Sequence, residues 1–354
     1  MRAVVIGGFG NFGARICRAL EGDPAIEVIA SSRNAGARLD IDSDGFADSL
    51  RRLSPGLVIH CAGPFQRQDY RVALAALAAR AHYLDLADGR DFVARFPHNN
   101  DAAARAAGRI ALSGASTLPA LSSAVIDSLR SRFRDLEEIH IAIAPGQRAP
   151  RGRATLAAVF SYAGRPFKWL NQGSWIDAWG WQELRRVRID GIGTRWAAAC
   201  DVPDLALLPE RYPGVRTVQF RAALELGVQH LALWSAATLR RAGVPLPIER
   251  WAHPLDTVAS WLDAFGSERG GMLVTLSGTK ADGSRARARW QLIADANHGP
   301  EVPCMAAILL ARKLARGKLA AEGAHACMGF LALQEFEPEF ARWRMQTKVG
   351  EEAA

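Results

Sequence analysis

Four glycines stand within the seven residues Gly7-Gly8-Phe9-Gly10-Asn11-Phe12-Gly13. Gly8, Gly10 and Gly13 fit the spacing G-x-G-x-x-G, while Gly7, Gly10 and Gly13 fit G-x-x-G-x-x-G, and both registers share Gly10 and Gly13. Where side chains are missing, a pyrophosphate can reach backbone N–H groups and the positive end of the helix that follows. A glycine at the third position also lets that helix pack closely on the preceding strand. The chemistry this spacing serves is the cradling of a dinucleotide, by the whole run from Gly7 to Gly13 including Phe9, Asn11 and Phe12.

Other residues extend this reading. Ser31-Ser32-Arg33 ends the second apolar run with no carboxylate to accept from ribose hydroxyls. Ser32 and Arg33 can instead hydrogen-bond a 2′-phosphate, which favours NADP over NAD. Asp40 is either an adenine neighbour or the start of a turn. Asp85 and Asp88, just after another apolar run, could hold an ammonium or guide a proton, or merely cap the following helix. His298 and Glu301, before a later helix, are titratable candidates for proton exchange at the nicotinamide edge, and the alternative for His298 is ordering its loop. Arg148, Arg151 and Arg153 could receive a carboxylate or lie on the surface. The five cysteines, 17, 61, 200, 304 and 327, have no paired spacing, so neither a metal site nor a disulfide framework is indicated.

The elements that must position these residues follow from periodicity. Val4-Val5-Ile6 is a strand, and Phe12, Ile16 and Leu20 recur at helical spacing. Further strands are expected at 26–31, 38–41, 57–61, 83–86 and 109–112, with helices near 44–53, 68–80 and 91–107 between them. Strands separated by helices pair in parallel, which predicts a doubly wound Rossmann sheet with ligands beyond the strands' carboxyl ends. The loops at 7–13, 31–34, 61–67, 86–90 and 113–119 then surround the cofactor, and Ala62, Gly63 and Pro64 join its candidate neighbours.

The stretch Val58-Ile59-His60-Cys61-Ala62-Gly63-Pro64-Phe65 resembles the saccharopine dehydrogenase-like (saccharopine reductase-like) family. Tyr83-Leu84-Asp85-Leu86-Ala87-Asp88-Gly89 and Gly114-Ala115-Ser116-Thr117-Leu118-Pro119 are similar to two further loops of that family. The resemblance covers mainly residues 1–130. It implies an NADP- or NAD-dependent oxidoreductase acting on amino acids and their imine or keto-acid partners. It also implies a mixed-sheet domain inserted before a final helix that returns to the nucleotide domain. No family catalytic residue maps onto this chain. Short-chain dehydrogenase chemistry is excluded: the four tyrosines, 70, 83, 162 and 212, are followed four positions on by Leu74, Ala87, Pro166 and Arg216, never lysine.

Beyond Arg134 the pattern changes. Residues 138–144 read as a strand, Trp169, Trp175, Trp179, Trp181 and Trp196 crowd one region, and helical patterns follow at 228–242 and 254–265. Dense tryptophans serve a core, an interface or the wall of a substrate pocket. Strands at 272–277 and 285–294 meet around Asp282-Gly283, a turn sequence that supplies positive φ. A helix starts near Pro303. The expected organisation is an NADP-binding domain at 1–130, a substrate and dimerisation domain at 131–300, and at 301–354 a returning helix with a C-terminal tail.

Composition bounds the rest. With 49% hydrophobic and 23% charged residues the chain is globular. The net charge of +8 comes from scattered residues, all but five of the 44 basic ones being arginine, and forms no polybasic block, so nucleic acid is not the expected partner. No segment reads as a leader or a membrane span, and a cytoplasmic homodimer acting on a small molecule is expected. An NADP-binding regulator or scaffold without turnover is the alternative, because no catalytic set is complete by motif.

Overall fold

The computed structural model describes residues 1–150, 152–246 and 260–353. Packing divides the chain into two units, Met1–Ala124 with Pro300–Phe336, and Val125–Gly299 with Glu337–Ala354.

Strands are numbered along the chain. The first unit holds β1 (Arg2–Ile6), β2 (Glu27–Ser32), β3 (Ala37–Arg38), β4 (Leu57–His60), β5 (His82–Asp85), β6 (Ile110–Ser113) and β15 (Gly323–Ala326). Their order is β15-β6-β5-β4-β1-β2-β3, with every neighbouring pair parallel. Helices at Asn11–Leu20, Arg71–Ala78 and Arg90–Ala107 make crossovers between the parallel strands. A parallel sheet so covered has both faces buried, which is why β1 and β4 are almost wholly apolar. The chain reverses direction across the sheet between β1 and β4, the switch point where such folds bind ligands. The Rossmann-type sheet is thus as expected, with a seventh strand, β15, added after the helix Val302–Ala315.

The second unit is a mixed sheet of β7 (Asp135–Ala144), β8 (Pro166–Asn171), β9 (Ser174–Trp179), β10 (Arg185–Ile189), β11 (Gly193–Ala199), β12 (Thr217–Ala222), β13 (Gly270–Thr279), β14 (Arg285–Ala294) and β16 (Gln346–Ala353). The order runs β10-β11-β12-β7-β13-β14-β16, with β8 paired to β12 and β9 to β8. Only β12 and β7 are parallel among these pairs. Alternation decides the faces: Ile139 and Ile141 with Met272, Val274 and Leu276 turn to a buried apolar side.

The β13–β14 hairpin turns where Asp282-Gly283 places it, with Gly283 at φ +86°. The tryptophan-rich segment forms strands: Trp169 and Trp181 are buried, whereas Trp175 on β9 is 47% exposed. The stretch read as a tail contains β16, which extends the sheet beyond β14. Of the expected helix at 254–265, residues up to 259 lie outside the described ones, and 263–265 form a single 3-10 turn. Arg151 and the Arg153 side chain also lie outside the described residues.

Candidate nucleotide site and its surroundings

The glycine run follows β1 directly. The Gly7 and Gly8 amides both donate to the Ser31 carbonyl at 2.9 Å, which ties the loop to the end of β2. Gly7 has φ +78°, a conformation that side chains disfavour. A β-carbon on Gly13 would lie 2.1 Å from the Gly7 oxygen, and one on Gly7 would lie 3.0 Å from the Ala62 nitrogen. The helix Asn11–Leu20 starts at Gly10 with no side-chain cap and no acidic residue in its first turn. Its positive dipole end and first amides therefore have no carboxylate of the helix's own first turn beside them, which suits an anion. Gly10 and Phe9 are exposed at the mouth of this loop.

At the end of β2 the two candidates separate. Ser32 Oγ accepts the Ala35 and Asn34 amides at 2.9 and 3.3 Å and donates to the Ala35 carbonyl at 3.1 Å, so it shapes the β2–β3 loop. Arg33 is exposed and makes no hydrogen bond or ion pair among the described residues. Arg38 is likewise exposed and unengaged, and in the β2–β3 pairing it stands opposite Ser32. Periodicity could not single it out; the pairing does. Asp40 accepts the Asp42 amide at 3.1 Å and starts an exposed turn.

Beyond β4, Ala62, Gly63 and Pro64 form a loop that Gln68 Nε2 braces through the carbonyls of Ala62 (2.7 Å) and Pro64 (3.0 Å). Asp88 is exposed, and its carboxylate accepts from Gln66 Nε2 at 3.1 Å, linking the loops after β4 and β5.

Asp85 is different. It is fully buried, and Oδ1 accepts the Gly114 amide (2.8 Å), the Ala87 amide (3.0 Å) and the Ser113 hydroxyl (3.0 Å). Its own carbonyl takes the Ala115 amide at 2.7 Å. Asp85, an acid–base candidate in the sequence, fastens the loops after β5 and β6 through Oδ1, while its buried Oδ2 has no hydrogen-bond partner among the described residues. Burial raises its pKa to about 6, against the pull of those donors. His60, its partner across β4–β5, is also buried; its Nδ1 meets the Tyr83 hydroxyl at 3.1 Å, and burial lowers its pKa to about 4.

His298 belongs to the second unit. Its Nδ1 lies 3.0 Å from the Trp343 carbonyl, and the two rings pack at 4.9 Å. A carbonyl only accepts, so Nδ1 carries the hydrogen and the neutral ring keeps its lone pair on Nε2. Glu301, in the first unit, is buried in an ion pair with Arg15 of the first helix. Its carboxylate is thereby engaged. Arg148 Nε donates to the Asp263 carbonyl at 2.9 Å. Cys61, Cys304 and Cys327 are held as thiols by burial, which raises their pKa values. Among the described residues no three His, Cys, Asp or Glu side chains group to hold a metal, and no helix is long and apolar enough to cross a membrane.

The seven-stranded parallel sheet and the second, mixed sheet make up a fold that this chain shares with solved saccharopine dehydrogenase-like structures. The chain is similar to saccharopine dehydrogenase (L-Glu forming) from Saccharomyces cerevisiae at 12% identity and a TM-score of 0.66, covering 99% of this chain and 100% of that one. It is similar to a homospermidine synthase from Legionella pneumophila, solved with NAD, at 10% identity and a TM-score of 0.61, over 100% and 91% of the two chains. DAP dehydrogenase from C. glutamicum, in complex with DAP, matches at 15% identity and a TM-score of 0.50 over 97% and 98%. No family model matches the sequence, and no curated protein is similar to it.

Proposed function

We propose that the protein is an NADP-dependent oxidoreductase acting at a C–N or C–O carbon of a small amino-acid, imine or keto-acid-type substrate. One observation carries this reading: a glycine-rich loop at the sheet's switch point opens onto an uncapped helix start with no acidic residue in its first turn. The donor set fits a dinucleotide, since the glycine loop would hold the pyrophosphate and the Ala62-Gly63-Pro64 loop would border it. Arg33 just after β2 and Arg38 on β3 would take a 2′-phosphate, while Ser32 holds the loop between them in shape. The substrate class follows the neighbours in fold, which are named for saccharopine, for DAP and for D-amino acids, the last solved with NADP+ at a TM-score of 0.50.

When bound, the nicotinamide supplies the hydride. The chain's own part is to hold and orient. Asp85 positions the loops after β5 and β6, Asp88 is the exposed carboxylate available to an ammonium, and His298 Nε2 is the lone pair available to a proton.

Titrating the protein with NADPH and NADH by fluorescence, then following absorbance with a panel of amino and keto acids, tests the proposal. Saturable NADPH binding with loss of absorbance on one substrate class supports it. Binding without turnover on any of the panel favours a nucleotide-responsive regulator, and no binding at all overturns both.

A further inference from the structure

The second unit contains a buried cation with no carboxylate in ion-pair contact among the described residues, the nearest favourable charge being the exposed Glu183. Arg221 on β12 is only 6% exposed. Its Nη1 donates to Gln219 Oε1 at 2.9 Å, its Nε to the Glu183 carbonyl at 3.4 Å, and its guanidinium lies 4.9 Å above the Trp169 ring. Nη2 has no partner, and no carboxylate pairs with Arg221 among the described residues. A guanidinium largely kept from water without a carboxylate in contact is costly, and a ligand that supplies one relieves that cost.

Of the neighbours, Gln219 gives its Nε2 to Asn171 Oδ1 at 3.0 Å. Gln219 stands beside His140 across the parallel β12–β7 pairing, so His140 shares the face of Gln219 and Arg221. Arg185 begins β10 two residues after Glu183, whose carbonyl Arg221 touches. Arg185 is close enough to disfavour the charged forms of both Arg221 and His140. The indole N–H of Trp169 is buried with no acceptor. Against these stands one nearby carboxylate on the same face, Glu138, 3.4 Å from His140, together with the exposed Glu183.

We infer that Arg221 of β12, stacked over the Trp169 ring, forms with Arg185 of β10 and His140 of β7 an oxyanion-binding site for the carboxylate or phosphate of a small molecule. The site lies wholly within the second unit and stands independently of the nucleotide reading. Arg221 provides the fork geometry that suits both oxyanions, Trp169 holds that fork from below, and the exposed Arg185 admits the ligand.

Thermal melts of the full chain with increasing inorganic phosphate or glutarate, at ionic strength held constant with sodium chloride, test the inference. We expect a saturable rise in Tm with at least one probe. A response to phosphate alone or to glutarate alone that weakens in Arg185→Gln supports the site and names its ligand class. The titration midpoint should move upward by at least about tenfold in Arg221→Met and in Arg185→Gln, and stay unchanged in Arg52→Gln, an exposed substitution in the first unit. Should Arg221→Met fail to fold, Arg185→Gln at its exposed position still decides. No rise beyond the sodium chloride control, or an unchanged midpoint in Arg185→Gln, overturns the proposal.

Discussion

Gly13 sits so close to Gly7 that a β-carbon on the helix residue would lie 2.1 Å from the carbonyl oxygen of the loop residue. At Gly10 the same construction finds only the Gly7 oxygen, at 3.2 Å, and the position is exposed. The two glycines therefore do separate jobs. Gly13→Ala should destabilise the fold by roughly 1–3 kcal/mol through overpacking against backbone. Gly10→Ala should keep the melting temperature of the parent yet weaken NADPH by about tenfold or more, because its methyl group stands where a pyrophosphate must approach. Melting curves alongside fluorescence titrations separate the two effects, and equal stability loss in both variants would contradict the division.

Arg33 and Arg38 make the cofactor preference testable. Each could give a charge-assisted hydrogen bond to a 2′-phosphate, worth about 1.5–3 kcal/mol. Arg33→Asp should thus raise the Kd for NADP by about tenfold or more and change that for NAD little, with Arg38→Ala acting in the same direction. If both nucleotides weaken equally, or neither does, the 2′-phosphate assignment is wrong.

How far the sequence disclosed this site can be judged from the same residues. The glycine run was readable because its requirement is steric and local. The parallel sheet was readable because β1, β4 and β5 are apolar runs between helical patterns. Arg38 was not, since its relevance comes from standing opposite Ser32 in a two-residue strand. β15 was not, because Gly-Ala-His-Ala has no β-branched residue and is held by β6. Asp85 shows the limit most clearly: an Asp at a strand end looks catalytic or capping, and only the structure shows that it is buried with three donors from the loops after β5 and β6 on one oxygen.

The Arg15–Glu301 pair joins the helix after the glycine loop to the start of Val302–Ala315, with side chains 18% and 6% exposed. Removing one partner leaves a buried charge. Glu301→Ala should cost on the order of 3 kcal/mol in urea denaturation, whereas Arg15→Met with Glu301→Leu should recover most of that loss. A double variant as unstable as the single one would show that the pair contributes net stability through its charge.

His298 offers a separation of binding from chemistry. With Nδ1–H committed to the Trp343 carbonyl, His298→Asn can keep a donor near that carbonyl but brings no titratable group. If His298 exchanges the proton, kcat should fall by about 10²-fold or more while NADPH affinity stays within a few-fold. A parallel loss of affinity and stability with an unchanged kcat would leave it the ordering of its loop alone.

Asp85 and His60 face each other across β4 and β5, and their shifts oppose one another in pH. Asp85 moves from 3.8 to about 6, so the folded state binds its proton more tightly than the unfolded chain does. Its contribution to stability is present below 3.8 and lost as pH rises through about 6, an effect of roughly 3 kcal/mol. His60 moves down from 6.5 to about 4, so its contribution is present above 6.5 and lost as pH falls toward 4. Asp85→Asn keeps an acceptor for the Gly114, Ala87 and Ser113 donors without the charge. The stability difference between this variant and the parent should therefore shift in the parent's favour by roughly 3 kcal/mol between pH 7.5 and 4. His60→Gln should show the reverse trend, gaining on the parent as pH falls from 6.5 to 4. Urea midpoints across this range check both, and two flat differences would mean that neither group is held as its burial requires. If Asp85 only fastens the loops after β5 and β6, Asp85→Asn also keeps turnover, whereas Asp85→Ala, which drops all three donors, loses it.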